Sequence, residues 1–166
     1  MKTGIVIWVT GLPSAGKSTL AEAVVTELRA RGDCACLLDG DSVRASLVPA
    51  PGYSPEERAN FYESLARLAA LVAEQGLAVV VAATAHRRAF RERARELAPG
   101  FIEVWVDTPL SECEQRDAKG LYAARREGEA SGLPGSDETY EPPSQADVVA
   151  HGGDDAQAIA AVLGRV

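Results

Sequence analysis

One stretch, Gly11-Leu12-Pro13-Ser14-Ala15-Gly16-Lys17-Ser18-Thr19, constrains this chain more than any other. An apolar run, Ile5-Val6-Ile7-Trp8-Val9, leads into it and a segment with helical spacing leads out. That strand–loop–helix setting is the one the pattern Gly-x-x-x-x-Gly-Lys-Ser/Thr requires. Gly11 and Gly16 admit backbone conformations closed to other residues, so successive N–H groups can turn inward on an anion. The helix start adds unpaired N–H groups and the positive end of its dipole. Lys17 brings a full charge to the β- and γ-phosphates, and the Ser18 hydroxyl is placed to ligate Mg²⁺. The whole stretch, 11–19, is expected to cradle a nucleoside triphosphate.

Asp and Glu number 24 against 17 Lys and Arg, a net charge of −7. This balance argues against general nucleic-acid binding and leaves anions to local basic clusters. A chain of 166 residues fits one domain, 1–166, with a sizeable core. No apolar run approaches a membrane span, and the first residues run straight into a strand without room for a signal peptide. Cys34, Cys36 and Cys113 form no Cys-x-x-Cys pair. They read as small buried hydrophobes in a reducing cytoplasm, the expected location.

Leu20, Val24 and Leu28 then recur at helical spacing, and a short strand at 34–38 ends in Asp39-Gly40-Asp41. Ser54-Pro55-Glu56-Glu57 combines a capping Ser, Pro in the first turn and Glu three residues after the cap, a strong helix start. Phe61, Leu65, Leu68 and Val72 mark its apolar face. Residues 77–83 form a continuous apolar run, as in a strand covered on both faces. A helix marked by Phe90, Ala94 and Leu97 follows, then a strand at 101–106 running into Asp107-Thr108-Pro109, which opens a short helix. Periodicity fails between about 117 and 143, a stretch too long for an ordinary connection and read as a lid. Val148-Val149 begins a last strand, and Asp154 is expected to cap a final helix. The alternation predicts an α/β fold of the P-loop NTPase class: an open, mostly parallel five-stranded sheet, helices on both faces, and a lid loop. Ligands of such sheets bind at the carboxyl ends of the strands. That rim gathers 11–19, 39–41, 84–88 and Asp107.

Phosphoryl transfer asks for charge stabilisation and a carboxylate that aligns the accepting hydroxyl. Asp41 is the expected acceptor-side carboxylate, and Asp39 either shares the work or caps the next turn. Arg44 and Arg58 can hold an anionic second substrate through their forked donors. The run from His86 to Arg93 reads mainly as a charged outer helix face, with Arg88 at the ligand rim and His86 as a loop residue. In the lid, Arg116, Lys119, Arg125 and Arg126 could close over the triphosphate.

These residues resemble the adenylyl-sulfate kinase family. The resemblance is carried by the phosphate loop, by Leu38-Asp39-Gly40-Asp41-Ser42-Val43-Arg44 and by Phe101-Ile102-Glu103-Val104-Trp105-Val106-Asp107-Thr108-Pro109-Leu110. It continues through Cys113, Arg116-Asp117, Lys119-Gly120-Leu121-Tyr122, Gly135, Asp137 and Tyr140-Glu141, nearly the whole chain in order. It implies transfer of the γ-phosphoryl group of ATP, with Mg²⁺, to the 3′-hydroxyl of adenosine 5′-phosphosulfate (APS). It further implies a homodimer and a candidate sulfurylase partner. By position, Asp41 and Lys17 would be catalytic, Arg116 would meet ATP, and Arg44 and Arg58 would grip the phosphosulfate. Tyr53 would stack on the substrate adenine, and Lys119 would belong to the mobile lid. Four positions depart from the family pattern, all on the acceptor side. Phe61 stands for an Asn, Glu63-Ser64 for a following Arg, Thr84-Ala85-His86-Arg87-Arg88 for Ile-Ser-Pro-Phe-Arg, and Leu133 for a second aromatic. Phe61, Thr84, Ala85, Arg88 and Leu133 are thus expected around the acceptor. A kinase of the same mould acting on another anionic nucleotide-linked hydroxyl compound stays open. A nucleotide-responsive binding module is disfavoured, because no Asn-Lys-x-Asp guanine-reading segment occurs.

Overall fold

The computed structural model describes residues 3–166. Five strands form one sheet: β1 (Ile5–Thr10), β2 (Ala35–Asp39), β3 (Ala78–Ala82), β4 (Phe101–Val106) and β5 (Val148–Ala150). Their order across the sheet is β2-β3-β1-β4-β5, and every pairing is parallel. The central β1 therefore has β3 on one side, with Ile7 opposite Val80, and β4 on the other, with Ile7 opposite Ile102. From β1 the chain moves to β2 and β3 on one side and then crosses to β4 and β5 on the other, and this reversal at β1 opens a crevice beyond its carboxyl end.

Among the described residues, seven helices complete the fold: α1 (Lys17–Ala30), α2 (Gly40–Ser46), α3 (Pro55–Ala73), α4 (Arg88–Leu97), α5 (Leu110–Arg116), α6 (Leu121–Arg126) and α7 (Ala156–Leu163). The alternation of strand side chains divides the core in two. Ile7, Val9, Val80, Ala82 and Val104 pack with Leu20, Val24 and Leu28 of α1 and Val162 of α7. Val6, Trp8, Val79 and Val81 pack on the other face with Phe61, Leu65 and Ala69 of α3 and Ala94 of α4. Each fully buried aliphatic side chain in these layers contributes on the order of 2 kcal/mol.

The start of α3 forms as its sequence requires. Ser54 Oγ accepts from Glu57 N at 3.2 Å, and the Glu57 carboxylate accepts from Ser54 N at 3.1 Å, a reciprocal cap worth about 1 kcal/mol. Further along α3 the packing differs from the expected stripe. Leu68 is exposed, and Ala66, Ala69 and Ala73 pack into the sheet-side core instead. The buried stripe runs through 62, 65, 66, 69 and 73, and at about 100° per residue Leu68 falls off that face toward solvent.

Other boundaries also shift. Residues 40–46 form α2, because Asp39 caps them through its side chain. The final helix is capped by Asp155, which accepts from Ala158 N at 3.0 Å, rather than by Asp154. Cys34 precedes β2 and is exposed, and Cys36 is half-buried; only Cys113 is buried. The lid region is not structureless: α6 lies inside it, with Asp117 accepting from Tyr122 N and Ala123 N at 2.9 Å. Among the described residues, no helix is long and apolar enough to cross a membrane.

Candidate active site

The phosphate loop connects β1 to α1. Gly16 has φ +106°, and a Cβ there would lie 2.6 Å from Gly153 N, so only glycine fits between the loop and the β5–α7 turn. Leu20 N donates to Gly16 O at 3.0 Å, closing the first turn of α1. Lys17 Nζ folds back and donates to Leu12 O at 2.7 Å. Burial first, and the neighbouring Lys119 second, pull the Lys17 ammonium down to about 8, against the opposing pull of Asp41, Cys113 and Asp39. A desolvated ammonium whose hydrogen bond, among the described residues, goes to a carbonyl stands to gain a great deal from an arriving anion.

Beside it, Ser18 Oγ donates to Asp39 Oδ2 at 2.8 Å. The other oxygen, Asp39 Oδ1, accepts from Asp41 N at 3.2 Å and Ser42 N at 3.1 Å. Burial raises the Asp39 carboxyl, but the N–H of Ser42, the Ser18 hydroxyl and Lys119 outweigh it, and the group is held below its ordinary value. Asp39 thus caps α2 with one oxygen and holds the Ser18 hydroxyl with the other. Among the described residues no cluster of three or more His, Cys, Asp or Glu could hold a metal. A hydroxyl and an ionised carboxylate side by side fit Mg²⁺, which keeps much of its coordination for water and phosphate oxygens.

Asp41, exposed at the start of α2, forms an ion pair with Lys119 of the lid. The lid is fastened to the phosphate loop itself. Tyr122 Oη donates to Pro13 O at 2.9 Å, and Ala118 N donates to Ser14 Oγ at 3.3 Å. A Cβ on Gly135 would lie 2.5 Å from Leu12 Cδ2, so the lid backbone presses on the loop there. Arg116 Nη1 reaches Ala15 O at 3.4 Å, and Thr108 Oγ1 donates to the same carbonyl at 2.7 Å.

The sequence model of the adenylylsulphate kinase family matches residues 3–151. The chain belongs to the adenylylsulphate kinase family. An adenylyl-sulfate kinase of Paraburkholderia xenovorans is 45% identical over 147 residues, covering 88% of this chain and 82% of the relative. An adenylyl-sulfate kinase of Pseudomonas aeruginosa is 45% identical over 145 residues, covering 86% of this chain and 74% of the relative. The Mycobacterium tuberculosis APS kinase, solved in complex with AMPPNP and APS, superposes with a TM-score of 0.89 at 35% identity, covering 99% of this chain and 97% of that one.

Against this adenylylsulphate kinase background, the residues expected on the acceptor side fall into two groups. Arg44 is buried, with its guanidinium carbon 4.4 Å from the Tyr53 ring centre and 4.0 Å from that of Phe61. Its Nη1 donates to Pro51 O at 3.1 Å and Gly52 O at 2.7 Å. Arg58 sits 5.6 Å from the Tyr53 ring centre and donates Nη2 to Gly132 O at 2.6 Å. Tyr53, which is exposed, and Arg58 line a cavity of about 410 Å³ together with His86, Phe90, Gly132 and Glu138. Phe61 lies beneath Arg44 in the α3 core.

Two expected members stand elsewhere. Leu133 is buried in the α1-side core and does not line this cavity. An aliphatic side chain gains more from that layer than from an open pocket. Arg88 spends its guanidinium on Pro142 O at 3.1–3.3 Å and its N–H on Glu141 Oε2 at 2.7 Å, outside the cavity lining. Thr84 and Ala85 contribute backbone: Thr84 O accepts from Thr10 Oγ1 at 2.7 Å, and Ala85 is buried at φ +39°. Arg125, half-buried, faces Asp137 at 3.2 Å within the lid.

Three residues have structural roles that their sequence context did not give. Arg91 is 1% exposed and donates Nε to Glu103 Oε1 at 2.8 Å, Nη1 to Ala85 O at 2.5 Å and Nη2 to Glu141 O at 2.6 Å. A single buried fork thus ties β4, the acceptor rim and the end of the lid. Its place among charged neighbours disguised it as a solvated residue. Tyr122 was signalled by the Asp117 cap five residues before it. Tyr140, 3.0 Å from Thr10 Oγ1, has a phenol that burial pushes up to about 12, and no periodic signal marks it.

Proposed function

We propose that this chain transfers the γ-phosphoryl group of ATP to the 3′-hydroxyl of APS in sulfate assimilation. The observation that carries the reading is the pairing of two halves across one crevice: Lys17 and Ser18 on the phosphate loop, and Asp41 held by lid Lys119. Loop N–H groups and the α1 start bind the triphosphate, and Lys17 exchanges Leu12 O for phosphate oxygens. Ser18 and Asp39 are the residues that would hold Mg²⁺, which when bound neutralises charge on the β- and γ-oxygens. Asp41 aligns the acceptor hydroxyl and accepts its proton as the bond to phosphorus forms. Lys119, close to both Asp41 and Lys17, passes to the transferred group once the two substrates are in place. Arg116 holds the loop at Ala15 and faces the nucleotide, while Arg58 and Tyr53 serve the acceptor.

A homodimer in the cytoplasm, acting beside a sulfurylase, completes this reading; exposed Leu68 and Leu71 on α3 are apolar surface that supports self-association. Light scattering of the purified chain tests it. The catalytic test is steady-state phosphorylation of APS with ATP and Mg²⁺ by wild type and Asp41→Ala. ATP affinity should persist in the variant and turnover should fall by about 10²-fold or more. No turnover of APS by wild type, with ATP bound normally, would favour another anionic nucleotide-linked hydroxyl compound. Arg44 supports that second reading, since Nη1, half of its fork, is already committed to Pro51 O and Gly52 O.

A further inference from the structure

The turn that follows β3 is held by a row of donors. Ala85 is buried at φ +39°, a left-handed conformation that a residue with a side chain keeps only where its surroundings impose it. Three successive carbonyls of this turn each accept a hydrogen bond: Thr84 O from Thr10 Oγ1 at 2.7 Å, Ala85 O from Arg91 Nη1 at 2.5 Å, and His86 O from Glu141 N at 2.8 Å. The third donor belongs to the return end of the lid, and the residue before it, Tyr140, meets the other two. Its hydroxyl lies 3.0 Å from Thr10 Oγ1, and its ring centre lies 5.7 Å from the Arg91 guanidinium carbon. Counting hydrogens gives the direction of the hydroxyl pair. A carbonyl only accepts, so Thr10 spends its hydrogen on Thr84 O, and Tyr140 Oη donates to Thr10. Burial holds the phenol up at about 12, so that hydrogen is present throughout the neutral range.

We propose that Tyr140 is a positioning residue: by donating to Thr10 it fixes the Thr10–Thr84 bond, so the 84–86 turn keeps its shape only while the return end of the lid is seated. This rests on the proposed function, because it takes 84–86 as part of the acceptor's wall. Tyr140 does not line the 410 Å³ cavity of Tyr53 and Arg58, so it acts through Thr10 rather than by touching substrate there. Thr10 is the last residue of β1 and is fully buried, which leaves its hydroxyl no water to turn to. With the phenol in place both lone-pair and hydrogen directions of that hydroxyl are assigned; without it the hydrogen is no longer steered onto Thr84 O. The effect is directed to the acceptor side. The lid's grip on the phosphate loop runs through other bonds, from Tyr122 to Pro13 O and from Ala118 N to Ser14, and these do not involve Tyr140.

The test measures hydrogen exchange of the Glu141 amide in the ligand-free protein, and the KM of APS and of ATP. The proteins are wild type, Tyr140→Phe, Thr10→Val, Thr10→Ser and the double variant of the first two substitutions. Phe keeps the ring beside Arg91 and removes only the hydroxyl; Val keeps the shape of Thr and removes the link to Thr84 O. Tyr140→Phe should speed exchange of the Glu141 amide and raise the KM for APS, each by about fivefold, the loss of one ordinary hydrogen bond. The KM for ATP should stay near its wild-type value. Thr10→Val should do the same, Tyr140→Phe should add nothing on top of it, and Thr10→Ser, which keeps the hydroxyl, should match wild type. Wild-type exchange in Tyr140→Phe, a wild-type ratio of the two KM values, or effects that multiply in the double variant overturn the assignment, whatever the change in Tm. If those results come with normal turnover of APS, Tyr140 is refuted and the kinase reading stands. If wild type turns over no APS, the kinase reading falls and exchange decides Tyr140: faster in Tyr140→Phe supports it, and unchanged overturns it.

Discussion

Replacing Arg91 with Met would strip one buried fork from three acceptors at once. Glu103, 9% exposed, would keep only Arg95 Nη2 at 3.8 Å and lose its partner at 2.8 Å. Ala85 O and Glu141 O would lose donors at 2.5 and 2.6 Å. Breaking a buried pair from one side costs about 3–5 kcal/mol, and the residual Arg95 contact places this case near about 3 kcal/mol. For a chain of this size that corresponds to a fall in Tm of roughly 6–12 °C. The origin can be separated from simple loss of packing. Glu103→Gln leaves Arg91 its two carbonyl partners and should cost less. In the double variant the uncompensated charge is gone, so its destabilisation should be smaller than the two single values added together. Calorimetry on the four proteins measures this directly. Additive losses, or a cost below about 1 kcal/mol for Arg91→Met, would refute the idea that this fork holds the rim. Because Ala85 O belongs to the acceptor side, the variant should also raise the KM for the acceptor more than that for ATP.

Lys17 governs a pH limb: its ammonium, lowered to about 8 in the free protein, is protonated below that value and attracts phosphate, and it is neutral above it. kcat/KM for ATP should therefore decline as pH rises through about 8, and Lys17→Ala should abolish that limb along with most of the activity. Ser18→Ala removes one oxygen from the Ser18–Asp39 pair, and titration of activity with Mg²⁺ should show a midpoint raised by about fivefold, consistent with the loss of one bond worth about 1 kcal/mol.

The parts of the fold that were readable carry short-range signals. Ser54 and Glu57 cap each other within four residues, and the phosphate loop announces itself through spacing. What could not be read depends on partners distant in sequence. Arg91 looks like its exposed neighbours until β4 places Glu103 beneath it. Leu133 looks like a pocket residue until the lid folds it into the α1-side layer. Leu68 satisfies helical spacing, yet the buried stripe of α3 runs through the alanines beside it instead. Asp39 offered both cap and site; one oxygen makes the cap, and the other binds the Ser18 hydroxyl. Among the residues expected on the acceptor side, the contacts were not legible: Arg44 commits Nη1 of its fork to backbone carbonyls, and His86, read as a loop residue, stands in the cavity wall.

The lid's attachment to the phosphate loop has a practical consequence for protein engineering. Tyr122 on Pro13, Ala118 on Ser14 and Gly135 against Leu12 make roof and cradle a single joinery. A graft that imports another enzyme's roof to change what enters must bring the matching cradle surface with it, or the ATP grip will loosen at the same stroke.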